Sequence, residues 1–194
     1  MRVLIACEES GVSRDAFTRL GHDATSCDLL PSRTEGKHYQ GDVLDILNDD
    51  WDLIIAHPPC THLAVSGARW FKDKQEEQEE ALEFVRKILS ANAPKIALEN
   101  PVSIISSRIR RPDQIVQPWM FGDPFTKTTC LWLKGLPKLV PTNIVDKGAR
   151  HITKSGKSLP AWYNLPPSED RAKIRSTTFP GFAEAMAQQW GTIW

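Results

Sequence analysis

A cysteine that directly follows two prolines is the residue best placed for chemistry in this chain. The apolar run 53–56 precedes it and is bounded by polar residues, which predicts a short buried strand of a parallel sheet. Pro58 and Pro59 end that strand and fix φ, so the turn after it is stiff. Cys60 is therefore expected just past a strand's carboxyl end, the edge where open α/β sheets bind ligands. A thiol there is a candidate nucleophile, and a buried structural cysteine is the alternative.

A carboxylate follows a second predicted strand in the same way. The segment 95–98 leads into Glu99, Asn100 and Pro101. Because parallel strands share a carboxyl edge, Glu99 and Cys60 are expected to face one pocket. A thiol and a carboxyl group in one pocket suit covalent catalysis combined with acid catalysis.

These two segments resemble the cytosine-C5 DNA methyltransferase family, in which a Pro-Cys nucleophile and a Glu-Asn-Val signature occupy such strand ends. Pro59-Cys60 matches the first motif, and Glu99-Asn100 matches the second, with Pro101 in place of the usual valine. The resemblance implies transfer of a methyl group from S-adenosylmethionine to C5 of cytosine in DNA. It makes Cys60 and Glu99 the catalytic residues and Asn100 a substrate-binding residue.

The amino-terminal segment predicts the other half of such a site. A strand at 2–7, a small-residue turn and a helix at 12–20 direct backbone N–H groups toward a ligand. Asp28 ends the next strand, where Rossmann-type folds bind ribose hydroxyls, and Asp42 follows the third element. A turn or cap role is the alternative for both acids.

The resemblance assigns S-adenosylmethionine to this half of the site. The cofactor-binding residues that it implies are Cys7, Glu8, Ser10, Gly11, Asp28, Asp42, Pro58 and Thr178. The family's first turn reads Phe-x-Gly-x-Gly, whereas the corresponding turn here has one glycine, Gly11. The first turn therefore departs from the family pattern.

Positive charge indicates where DNA would be held, in duplex or single-stranded form. Arg108, Arg110 and Arg111 form the densest basic cluster and are candidates for phosphate contact, with a solvated loop as the alternative. Lys127 precedes a predicted strand at 128–133 and matches a basic family position near the target base, although a surface lysine is the alternative. A second copy of the chain or a recognition protein is a further expected partner.

Composition bounds the fold and the cellular setting. The chain has 194 residues, with 24 Lys+Arg and 24 Asp+Glu, so no chain-wide electrostatic attraction to nucleic acid is expected. Short apolar strands alternate with helices, such as the one at 76–90, which predicts a doubly wound, mostly parallel α/β sheet. By resemblance this is a Rossmann-like S-adenosylmethionine-dependent methyltransferase fold. We expect one catalytic domain, 1–194, with an irregular, basic and proline-rich excursion at 136–167.

Cysteine usage and hydropathy exclude other classes of protein. The four cysteines are scattered without a Cys-x-x-Cys pair, so neither disulfides nor a metal site is expected and a reducing cytoplasm fits. No apolar run is long enough to cross a membrane, so no membrane partner is expected. By resemblance, a methyltransferase this small suggests a phage protein in the cytoplasm of a bacterial host.

Three rival functions remain open. Amino-group methyltransferases carry an aromatic residue after Pro-Pro, so Cys60 at that position favours C5 chemistry. The interval 136–167 is too short for the family's large target-recognition domain, which favours a related enzyme acting on a pyrimidine nucleotide or a modified base. A non-catalytic cofactor- or DNA-binding module would keep the fold; the altered first turn favours it, and the intact Cys60 and Glu99 disfavour it.

Overall fold

A central sheet organises the computed structural model, which describes residues 1–66, 73–168 and 171–192. The strands of this sheet are β1 Arg2–Ala6, β2 Asp23–Asp28, β3 His38–Gln40, β4 Leu53–Ala56, β5 Lys95–Pro101, β6 Gln114–Val116 and β7 Thr129–Lys134. Among the described residues the sheet has seven strands in the order β3-β2-β1-β4-β5-β7-β6. A separate hairpin is formed by β8 Arg150–Ile152 and β9 Ser158–Pro160.

All strands of the sheet except β7 run in one direction. β1 pairs in parallel with β2 and β4, β2 with β3, and β4 with β5. β7 is antiparallel to both β5 and β6, so β6 runs the same way as β5. The chain builds the sheet outward from β1 to β3 and then, from β4, toward the other edge. This reversal opens a crevice at the carboxyl ends of β1 and β4, where open α/β sheets bind ligands.

Helices cover both faces of the sheet. They are α1 Val12–Arg19, α2 Gln75–Leu89, α3 Ile105–Arg108, α4 Arg171–Ser176 and α5 Pro180–Trp190. The apolar face of α2 packs on one side of the sheet, and α1 and α5 pack on the other. Since neither face meets water, residues 3–6 of β1 and 53–56 of β4 are all fully buried. In the described ranges, no helix is both long enough and apolar enough to cross a membrane.

The strands β1, β2, β4, β5 and β7 and the helices α1 and α2 confirm the predicted elements. The third element, which Asp42 was expected to follow, is the short strand β3. The excursion at 136–167, predicted to be irregular, contains the β8–β9 hairpin. Each of these strands has three residues, which is too short to show the alternation that marks a strand in a sequence.

Candidate active site

The thiol and the carboxylate predicted from the sequence lie at the carboxyl ends of the paired strands β4 and β5. His57 Nδ1 lies 3.2 Å from Glu99 Oε2. Asn100 Nδ2 donates a hydrogen bond of 2.9 Å to the carbonyl of Pro58. These two contacts tie the strand end that leads to Cys60 to the strand end that carries Glu99.

Asn100, predicted to bind substrate, is buried and positions the Pro-Pro-Cys turn. Its amide nitrogen holds the carbonyl of Pro58, which is itself buried. Its Oδ1 is buried and has no hydrogen-bond partner among the described residues. Asn100 therefore has one acceptor left with which it can meet a ligand or a water molecule.

Two neighbouring side chains, His57 and Lys127, favour the ionised form of Glu99. Burial raises the pKa of this carboxyl group, but the hydrogen bond from His57 and the charge of Lys127 outweigh burial, and the pKa lies below its ordinary value. The side chain of Glu99 is only 15% exposed and that of His57 only 8%. Because water screens this pair weakly, the ionised form of Glu99 depends on His57 and Lys127.

Cys60 alone is exposed among the four cysteines, all of which lie in described ranges. Although the residue reaches the surface, the protein around its sulfur and the Glu99 carboxylate raise the pKa of the thiol; Lys127 and Arg175 offset part of this rise. The sulfur is therefore a thiol at rest. Neutralising Glu99 lowers the free energy needed to form the thiolate, so the protonation states of the two residues are coupled.

Lys127, predicted to lie near the target base, contributes charge to both Cys60 and Glu99. Its ammonium group donates a hydrogen bond of 3.2 Å to the carbonyl of Arg175. It also lies 5.8 Å from the centre of the Phe179 ring, at the distance of a cation–π contact. These contacts hold the ammonium group where its charge acts on both Cys60 and Glu99.

A cleft that is partly open to solvent borders Glu99. Lys127, Gln117 and Thr178 line it with polar groups, and Phe179 adds an aromatic wall. Thr178, predicted to bind cofactor, thus shares a cleft with the Glu99 carboxylate. Cys60, which was expected to face one pocket with Glu99, is not among the residues that line this cleft.

Cys7, Asp28 and Asp42 gather at the carboxyl ends of the first three strands. Burial is the largest cause of the raised pKa of the Cys7 thiol. The charges of Asp28 and Asp42 raise this pKa further, because the three side chains are close together. Asp28 Oδ1 accepts the N–H of Leu30 at 3.0 Å, and Asp42 Oδ1 accepts that of Leu44 at 2.9 Å. The second carboxylate oxygen of each aspartate has no hydrogen-bond partner in the described part of the chain.

Glu8 and Ser10, predicted to bind cofactor, serve helix α1 through their side chains. The buried carboxylate of Glu8 accepts the N–H of Ser13 at 2.8 Å and the hydroxyl of Ser10 at 3.0 Å. These donors of the first turn are therefore occupied, which corrects the expectation that the helix presents them to a ligand. Gly11 has φ 78°, and a Cβ there would collide with the Thr34 hydroxyl.

The predicted phosphate-binding cluster is partly neutralised by neighbouring acids. Arg108 pairs with Glu79 at 3.0 Å, and Arg110 pairs with Asp113 at 2.6 Å. Arg110 also donates to a carbonyl of β7, and Arg111 is exposed. None of the three arginines is among the residues that line the described cleft.

Comparisons with known proteins give similarity in structure but none in sequence: no family model and no curated protein matches. One similar structure is a provisionally assigned DNA modification methyltransferase encoded within a prophage (E. coli), with a TM-score of 0.52, 19% identity, and coverage of 75% of this chain and 52% of that chain. Another is an rRNA methylase from Escherichia coli, with a TM-score of 0.41, 14% identity, and coverage of 68% and 55%. The chain spans about half the length of these structures.

The fold is that of the S-adenosylmethionine-dependent methyltransferases. The predicted fold class is thus confirmed. The first-turn side of the crevice fits the adenosine part of this cofactor: the free carboxylate oxygens of Asp28 and Asp42 can accept from ribose hydroxyls and an amino group. Leu29 and Leu30, 71% and 54% exposed, offer apolar surface beside them.

Two residues of the site were missed by sequence reasoning. His57 directly precedes the two prolines at the end of a strand, so its position marked it as a residue near the site. Its contact with Glu99, however, follows only from the pairing of β4 with β5. Arg175 belongs to the six-residue helix α4, and its charge acts on Cys60. No sequence pattern points to that contact.

Proposed function

We propose that this protein transfers a methyl group from S-adenosylmethionine to C5 of cytosine in DNA through a covalent adduct on Cys60. The observation that carries the proposal is the electrostatic coupling at the ends of β4 and β5: the Glu99 carboxylate raises the pKa of the Cys60 thiol, and Lys127 lowers it. A nucleophile, a proton carrier and a cation in one site suit addition to an electron-poor ring.

Cys60 and Glu99 have complementary roles in this reaction. A proton that moves from the thiol to Glu99 creates the thiolate and removes the negative charge that opposed it. The sulfur then bonds to C6 of the cytosine, while the protonated Glu99 gives its proton to N3. C5 is thereby made electron-rich enough to be methylated.

The remaining steps restore the aromatic ring. S-adenosylmethionine supplies the methyl group as an electrophilic sulfonium. The proton at C5 then passes to solvent, and the electron pair that it leaves re-forms the double bond between C5 and C6 and expels the Cys60 sulfur as a thiolate. The proton at N3 returns to solvent through Glu99, which the contacts with His57 and Lys127 favour as a carboxylate.

The cleft beside Glu99 supports the binding of a base outside a duplex. Phe179 supplies an aromatic wall, and Lys127 supplies a cation on the same cleft. Chemistry on a base in duplex DNA requires that the base leave the stack, at a cost of about a few kcal/mol. Stacking on Phe179 and hydrogen bonds to Glu99 would offset that cost.

Trapping of the adduct tests the proposal. DNA that contains 5-fluorocytosine should form a denaturant-resistant complex with the protein in the presence of S-adenosylmethionine, because fluorine at C5 is not lost as a proton is. Cys60→Ser should abolish both the complex and methyl transfer, whereas Cys130→Ala, at a buried position in β7, should retain both.

Two outcomes would contradict the proposal in different ways. Methyl transfer at the wild-type rate by Cys60→Ser would exclude the covalent step. Methylation of a free cytosine nucleotide but not of DNA would keep the chemistry and exclude DNA as the substrate.

A further inference from the structure

The segment that connects β7 to α4 carries an unusual concentration of positive charge. From Lys147 to Ser168 the chain has four Lys+Arg residues and no Asp or Glu. The chain as a whole is balanced, with 24 of each sign. Most of this charge lies on or beside the β8–β9 hairpin, at Arg150, Lys154 and Lys157, which we call the hairpin cations.

The hairpin cations are exposed and are not neutralised by described acids. All three residues are exposed. Arg150 donates to the hydroxyl of Ser158 at 2.7 Å and to its carbonyl at 2.8 Å, which fixes the guanidinium across the hairpin without using a carboxylate. No Asp or Glu in the described ranges lies within ion-pair distance of the three, and Glu169 and Asp170 are outside those ranges.

The hairpin cations differ in this respect from the arginines that the sequence singled out. Arg108 and Arg110 both face carboxylates at hydrogen-bonding distance. A cation already paired on the protein gains less from a phosphate group, because the first ion pair must be broken. Unpaired exposed cations release counterions from DNA at no such cost.

The hairpin is anchored beside the catalytic cleft. Trp162 lies two residues after the end of β9, is buried, and packs on Phe179 with ring centres 4.9 Å apart. Lys127 Nζ lies 5.9 Å from the centre of the Trp162 ring. Tyr163 accepts the N–H of Thr128, next to the start of β7, at 3.3 Å. The base of the hairpin thus contacts two residues, Phe179 and Lys127, that line the cleft.

We propose that the hairpin cations bind the phosphodiester backbone of the DNA that carries the target base. This inference rests on the proposed function and names the surface that holds the substrate of that site. Lys154 and Lys157 flank Gly156, where an added Cβ would meet no atom within 4 Å. Space is therefore open beside Gly156, in the turn that carries the two lysines.

Salt-dependent DNA binding of a matched pair of variants tests this surface. Lys154→Gln/Lys157→Gln removes two hairpin charges without touching Arg150, whose bonds support the hairpin. The control, Lys87→Gln/Lys138→Gln, removes two exposed charges elsewhere. Binding of a fluorescein-labelled duplex would be followed by anisotropy from 50 to 300 mM salt, with circular dichroism as the check on folding.

The hairpin variant should bind about 10- to 60-fold more weakly at 0.1 M salt, and its slope of log K against log salt should be shallower by about 1.8, or about 0.9 for each lost phosphate contact. The control should match the wild type. Equal slopes for the two double variants, or no binding of wild-type protein to DNA, would overturn the inference.

Methyl transfer to the same duplex, measured in parallel, separates this inference from the proposed function. Methylation of DNA with no effect of the hairpin variant on the salt slope would reject the surface and keep the function. A slope that depends on the hairpin, together with no methyl transfer by the wild type, would keep the surface and reject the function.

Discussion

Replacing His57 with phenylalanine should lower the stability of the folded state and raise the pKa of Glu99. The reason is that the buried Glu99 carboxylate would lose the hydrogen bond from His57 Nδ1. A hydrogen bond to a charged group contributes about 1.5–3 kcal/mol. The variant should therefore lose about that much of its free energy of unfolding at pH 7, as measured by urea denaturation. The conservative change His57→Gln keeps an N–H donor and should recover part of the loss.

The contribution of ionised Glu99 to the stability of the folded state should depend on pH. The pKa of Glu99 in the folded protein is lowered from 4.5, so its contribution to stability is present above pH 4.5 and is lost as the pH falls through the folded value. Without His57, burial opposes the charge of Lys127 alone, and that contribution shrinks. The stability difference between wild type and His57→Phe should thus be largest at neutral pH and decrease below pH 4.5.

A double-mutant cycle with Glu99→Gln isolates the interaction between the two side chains. The coupling free energy should lie within about 0.5–3 kcal/mol, the range for residues in one hydrogen-bond network. Additive effects of the two substitutions, or identical pH curves for wild type and His57→Phe, would refute the inference that His57 holds Glu99 as a carboxylate.

Three further predictions concern the cofactor, the thiol and the buried arginine of α1. Asp28→Asn and Asp42→Asn keep an acceptor for the local N–H but lose the charge, and each should weaken S-adenosylmethionine binding by about 1–3 kcal/mol in calorimetry; unchanged affinity in both would place the cofactor elsewhere. Glu99→Gln should speed alkylation of Cys60 by iodoacetamide at pH 7.5, since the Glu99 charge raises the pKa of that thiol; a slower reaction would contradict the coupling. Arg14→Met should destabilise the fold by about 3–5 kcal/mol, because the 1% exposed guanidinium donates to several groups of the loop after β2; a urea midpoint equal to that of the wild type would show these bonds to be dispensable.

The strand ends that precede Cys60 and carry Glu99 could be predicted because their sequences leave few alternatives. Four consecutive apolar residues followed by Pro58 and Pro59 fit a buried strand with an abrupt end, and the segment before Glu99 repeats the pattern. The locations of Asp28 at the end of β2 and of Asp42 after β3 could be predicted because each acid directly follows a predicted element in the chain. These inferences depend on local sequence and on the rule that parallel strands share one edge.

Contacts between distant segments could not be predicted in the same way. The pairing of His57 with Glu99 depends on the register of β4 against β5, which no local pattern records. Neutralisation of Arg108 depends on Glu79, which lies 29 positions away on another helix. The hairpin within 136–167 was not predicted, because each of its strands pairs over only three residues. What the sequence could not show was therefore which charges are already paired in the folded protein.

The two contacts that join the ends of β4 and β5 have a consequence for how the protein meets its substrate. The bonds His57–Glu99 and Asn100–Pro58 each span 42 positions of the chain and join the ends of two strands that pair in the sheet. The entropy lost in bringing the thiol and the carboxylate together is therefore lost once, during folding, and not in every turnover. The motion needed for binding falls instead on the substrate, which must enter a site already assembled.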